Sequence, residues 1–150
     1  MERLSTFIIT PPDGTRYHFG SIAEDSFKAV ERSGIPDEAF FPSAWYLRKV
    51  ESHDGNYKII LNYEEEQYVL QNRRAKSAPE RSYAGVGLGQ PGDISRTEFY
   101  GMRLTQISTP TDTIDFIASS SNRMDIEANW LNQFNAKSLQ FIEHRTGDYC

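Results

Sequence analysis

Strand, turn, strand recurs along this chain, and that order restricts the possible folds more than any other feature. Leu47 to Val50 leads through a turn at His53 to Asn56 into Tyr57 to Tyr63. Leu104 to Ile107 leads through Thr109 to Asp112 into Thr113 to Ile117, and Leu139 to Ile142 runs towards a turn at Arg145 to Gly147. Each unit is a short apolar strand, a polar turn and a return strand of β-branched and aromatic residues. One hairpin cannot bury its own apolar face, so recurrence implies a surface made by laying hairpins side by side. The third unit reaches only Tyr149 and Cys150 beyond its turn. The expectation is therefore a fragment of a longer protein whose last apolar strand lacks a partner.

With 150 residues the chain is expected to form a single domain over 1–150, burying about 68–70% of its unfolded surface. Only 38% of residues are hydrophobic while 13% are aromatic, so a few large rings must carry the core, which suits sheets better than helix bundles. A net charge of −5 argues against general nucleic-acid binding, because little here would release counterions from a phosphate backbone. No run of 18 apolar residues is present, so no membrane span is expected. Met1 to Ser5 lacks the apolar stretch of a signal peptide, which places any such signal upstream. The single cysteine, Cys150, allows no internal disulfide.

The first hairpin is Thr6 to Thr10, a turn at Pro11-Pro-Asp-Gly14, and Thr15 to Phe19. Ser21 to Glu24 fits a capping box, and Ile22, Phe27 and Val30 have helical spacing, predicting a short helix from Ala23 to Arg32 stopped by Gly34, with an irregular excursion as the alternative. Phe40 and Phe41 lie in a proline-bounded loop and are expected to plug a gap. A meander follows: Trp45 to Ser52, Tyr57 to Glu64, a tight turn at Glu64 to Glu66, and Gln67 to Asn72. Breakers crowd 73–93, predicting a long mobile loop, before a strand near Thr97 to Tyr100. Ile126, Trp130, Leu131 and Phe134 form a stripe predicting a second helix of about 10 to 12 residues, capped by Ser121 or Asn122. The fold expected is mainly β (α+β): a twisted antiparallel sheet of β-hairpins with one or two short helices on part of one face.

Phe7 to Gly20, with its Pro-Asp-Gly-Thr turn and Phe-Gly ending, resembles a phrase in Rhs/YD-repeat proteins, especially the large ones of Bacteroidota. Phe41 to Val50, then Asp54-Gly55, then Leu61 to Tyr63 is similar to the phrase that follows in those proteins. Asp112 to Ser119, Arg123 to Asp125 and Leu139 to Ile142 resemble their later segment. The paired Tyr-Asp and following Gly-Arg of the regular repeat are absent, which points to the divergent region ahead of those repeats. The resemblance implies a slice of a hollow β-shell that encloses or presents a C-terminal cargo or toxin domain. It also implies a secreted or cell-surface location, no catalysis in this part of the wall, and adjacent hairpins of the parent chain as partners.

Individual residues offer few chemical centres. His18, His53 and His144 belong to different hairpins without metal-ligand spacing, so no metal is expected. Gly85-Val-Gly-Leu-Gly89 has no following Lys-Ser/Thr and reads as loop, so no cofactor is expected. Glu64 to Glu66 sits in a predicted exposed turn where water screens the carboxylates. Asp13, Asp54 and Asp112 suit turn caps, with a shared calcium ion as the weaker option. Ser119 to Ser121 lacks a nucleophile-elbow context. Arg73 and Arg74, with Lys76 and Arg81 near Tyr68 and Tyr83, form a basic patch suited to phosphate or glycan acids, or simply a solvated loop. Trp45 and Trp130 suit sugar stacking or the core. Trp45, Arg73, Arg74 and Tyr83 are thus the binding candidates, and no catalytic residue is expected. A non-catalytic shell segment is the first reading, with homo-oligomers possible through an exposed edge. An extracellular glycan- or protein-binding β module is the alternative, and an enzyme is not expected.

Overall fold

A computed structural model describes residues 6–21, 29–35, 40–73, 94–124 and 136–147. These residues form nine strands in one antiparallel sheet: β1 (Thr6–Ile9), β2 (Arg16–Gly20), β3 (Val30–Gly34), β4 (Phe41–Trp45), β5 (Leu47–Glu51), β6 (Lys58–Arg73), β7 (Ile94–Ser108), β8 (Asp112–Asn122) and β9 (Lys137–Thr146). Among the described residues there is no helix.

Turn chemistry sets three of the connections. Gly14 and Gly55 have φ of 79° and 75°, a left-handed conformation costly for residues with a Cβ, and they close the β1–β2 and β5–β6 hairpins. Between β7 and β8, Thr109 closes the turn by donating its N–H to the Asp112 carbonyl at 2.8 Å, while the Asp112 N–H donates to Thr109 Oγ1 at 2.9 Å.

The body of the sheet depends on one residue. β2 pairs with β5 from Arg16↔Glu51 to Phe19↔Leu47, and β3 pairs with β4 from Val30↔Trp45 to Ser33↔Phe41. Tyr46 links the two ladders: its N–H donates to the Ala29 carbonyl at 2.9 Å, and its carbonyl accepts from the Gly20 N–H at 3.0 Å. In an extended strand both groups of one residue point to the same edge, so β2 and β3 act as one interrupted strand along residues 41–51. From there β3 pairs onward with β7, β5 with β6, and β6 with β7 from Ile60↔Ser108 to Arg73↔Ile94. The hydrogen-bonded path thus returns to its origin through Tyr46. Large apolar side chains are buried along this circuit, where Val69 and Met102 are 1% and 8% exposed. Tyr68 stacks on Phe99 at 5.1 Å and 7°, and a Cβ on Gly101 would come within 2.9 Å of the Tyr68 ring.

Several local expectations are corrected. Val30 to Arg32 is strand rather than the end of a helix, because pairing with β4 and β7 on opposite edges outweighs a weak local helical pattern. The rest of that segment, 22–28, and the second predicted helix lie outside the described residues. Glu64 to Glu66 is the middle of β6 rather than a turn. Each carboxylate there meets a cation: Arg103 contacts Glu64 and Glu66, and Arg32 contacts Glu65 at 3.1 Å. Arg145 and Thr146 belong to β9, which returns along β8 instead of opening a third hairpin at that point. Phe41 opens β4 rather than lying in a loop and is 58% exposed, and Phe40 packs edge-on to Tyr100 at 5.0 Å.

Candidate functional site at the β8–β9 edge

β7 divides its second edge between two strands. Glu98 to Tyr100 pairs with β3, and Gln106 to Ser108 pairs with β8. Beyond Asp115, β8 has only β9 as its ladder partner among the described residues. β8 and β9 therefore leave the body as a two-stranded ribbon, paired from Asp112↔Thr146 to Asn122↔Lys137 with register shifts beside Ala118.

A chain of polar side chains ties the base of this ribbon to the body. Asn62 Nδ2 donates to Gln106 Oε1 at 3.0 Å, Gln106 Nε2 to Asp115 Oδ1 at 2.8 Å, and Arg145 Nε to Asp115 Oδ2 at 3.0 Å. The row crosses β6, β7, β8 and β9 on one face. Asp115 is 8% exposed; the Gln106 hydrogen bond and then Arg145 hold its carboxyl below the usual range. Charge-assisted bonds of this kind are about twice as strong as neutral ones, and losing one partner would strand a desolvated charge. On the other face, His144 Nε2 lies 3.1 Å from Asp112 Oδ1. The Gly147 N–H donates to the Thr111 carbonyl at 2.6 Å.

Away from its base the ribbon leaves large apolar side chains of β9 exposed. Leu139, Phe141 and Ile142 are 56%, 51% and 56% exposed. Where β7 and β8 diverge, a cavity of about 310 Å³ is walled by Leu104, Phe116, Ala118 and Leu139, with Arg103 and Lys137 at its polar side. β9 pairs only with β8 among the described residues. It thus combines main-chain groups able to accept another strand with apolar side chains that such a strand would cover.

Of the binding candidates from sequence, only Trp45 and Arg73 fall among the described residues. Trp45 is half-buried, edge-on to Phe7 at 6.2 Å, and Phe7 stacks on Phe19 at 4.9 Å. Arg73 ends β6, while Arg74, Tyr83, Trp130 and the 74–93 stretch lie outside the described residues. Ser119 to Asn122 continue β8 and so do not cap a helix. Asp13 accepts from the Thr15 N–H at 2.9 Å. Asp54 is drawn down to about 2 by Ser52 and by the Asn56 backbone and side chain. Both are turn caps, and among the described residues no group of three or more His, Cys, Asp or Glu is placed to hold a metal. No helix of the described residues is long and apolar enough to cross a membrane.

Sequence reasoning missed a charged hub on the far side of the body. Glu51 of β5 receives Lys49 Nζ at 3.1 Å, Arg16 Nη2 and His18 Nε2 at 3.4 Å, and Lys58 Nζ at 3.9 Å. Lys49 and the other cations hold its carboxyl below the usual range. Every-second-residue spacing of Arg16 and His18, and of Lys49 and Glu51, is visible in the sequence; the registers that join them are not. A second missed group is Glu31, which accepts from Ser43 Oγ at 2.8 Å and from the Tyr46 hydroxyl at 3.1 Å. Burial and that carboxylate push Tyr46 up to about 12.

In comparisons with family models, with curated proteins and with solved structures, nothing matched the chain.

Proposed function

We propose that this chain is a non-catalytic structural segment, one slice of a large Rhs/YD-repeat-like shell in a secreted or surface protein that encloses or presents a C-terminal cargo domain. Its working contact is strand addition: a neighbouring hairpin of the same parent pairs with β9 and covers Leu139, Phe141 and Ile142. The single observation behind this reading is the exposure of those three side chains on a strand paired on one edge only among the described residues. A two-stranded ribbon is marginal in water by itself, whereas a third strand or a covering layer makes it stable. The family part of the reading rests on the sequence phrases, from Phe7 to Gly20 and from Phe41 to Tyr63.

Light scattering of the 150-residue chain across a concentration series tests the proposal. Open edges are expected to pair with each other when the parent's strand is missing, so mass should rise with concentration. Phe141→Lys should keep the chain monomeric with an unchanged far-ultraviolet spectrum, since a charge on an edge strand opposes pairing. A wild-type chain that stays monomeric at the highest concentrations, with β9 amides already protected from exchange, would refute strand addition. Reading the open frame on both sides tests the family separately: Tyr-Asp repeats downstream support it, and their absence counts against it.

A further inference from the structure

His18 is the middle residue of β2, opposite Ile8 of β1 and Lys49 of β5. It is 8% exposed, and its Nε2 is buried without a hydrogen-bond partner, 3.4 Å from Glu51 Oε2. The groups facing it come from every neighbouring strand. β2 supplies Arg16, β5 supplies Arg48, Lys49 and Glu51, β6 supplies Lys58, and β1 supplies no ionisable side chain. Lys49 and Arg48 bear on the ring, Arg16 and Lys58 contact the other oxygen of Glu51, and among the described residues Glu51, shared with Arg16, Lys49 and Lys58, is the one carboxylate shown beside the imidazole.

A neutral imidazole fits this setting; an imidazolium would be a fifth cation in a desolvated place. We propose that His18 makes the β2–β5 ladder an acid-sensitive clasp, whose protonation loosens the β1–β2 hairpin from β5 and bares a second strand edge, Leu47 to Glu51. Burial, then Lys49 and Arg48, lower the ring's pKa from its ordinary 6.5, against the smaller pull of Glu51. For a base whose pKa is lower in the closed form, closure is fully supported above 6.5 and weakens as pH falls from there towards the closed-state value. Each unit of difference favours the open hairpin by roughly tenfold. Glu51 acts in a separate window, since its support persists above 4.5 and fades only below it.

Hydrogen exchange of the β1 and β2 amides at pH 7.5 and pH 5.5, corrected for intrinsic rates, tests the clasp. Wild-type protection is expected to fall at pH 5.5, by up to about tenfold per unit of pKa difference, with the β6 and β7 amides unchanged. His18→Gln, neutral throughout, should abolish the difference. Lys49→Gln keeps the imidazole and removes the cation that bears most on it, so it should shrink the difference. A wild-type hairpin equally protected at both pH values, or a pH effect of the same size in both variants, would overturn the proposal.

Discussion

The β6–β7 ladder and the β8–β9 ribbon are the two longest antiparallel pairings in the molecule, and their side chains are chemically alike. Leu61, Val69 and Leu70 in the first correspond in kind to Leu139, Phe141 and Ile142 in the second. Their surroundings differ. The first is flanked by β5 on one edge and by β3 and β8 on the other, and it holds Val69 and Met102 out of water. The second has ladder pairing to the body only at Gln106 to Ser108, and Leu139, Phe141 and Ile142 of β9 stay about half exposed. On the doubly flanked ladder burial depends on the face, Val69 being 1% and its neighbour Leu70 48% exposed, whereas on β9 Leu139, Phe141 and Ile142 are all about half exposed.

Paired truncations are the strongest way to break that contrast. Met102→Ala in the body should cost about 2–3 kcal/mol, as transfer and cavity terms add. Leu139→Ala on the ribbon should stay within about 0.5 kcal/mol in the monomer. Urea unfolding with a constant slope measures both, and equal losses would show that the ribbon is as well packed as the body. A smaller and local effect is expected from Asp115→Asn. It weakens the link from Gln106 to Arg145, so exchange of the β9 amides should quicken while the β6 amides keep their protection. Smallest is the effect of mild acid on the same link. Asp115 has a carboxyl held below its ordinary 3.8, so its contribution is complete above that value and declines as pH falls through the folded-state pKa. β9 amide protection should therefore be level from pH 7 to pH 5, a range in which the His18 clasp already responds; loss of β9 protection at pH 5.5 would contradict the assignment.

The hairpins β1–β2, β5–β6 and β7–β8 could be read from the sequence because each is specified within about fifteen residues by turn chemistry: Asp13 with Gly14, Asp54 with Gly55, and Thr109 through Asp112. Features set across longer separations could not. Glu64 to Glu66 reads locally as a solvated turn, and only the arrival of Arg32 and Arg103 from other strands makes an extended backbone tolerable there. Val30 to Gly34 carries helix-compatible residues, and its pairing with Tyr100 and Phe99 lies far along the chain. The candidate site was legible as an apolar last strand. Its union with β8 and the Asn62–Gln106–Asp115–Arg145 row were not, because both depend on register. The Glu51 hub was hidden for the same reason.

The pair of hydrogen bonds joining Tyr46 to Gly20 and Ala29 has a consequence for how this chain can be rewritten. Both ends of the intervening stretch dock on one residue, so the interval between them enters and leaves the sheet at zero offset. A graft of almost any length placed there, an epitope or a whole small module, would shift no register elsewhere. The same graft at the middle of β6 would displace every pair that follows it.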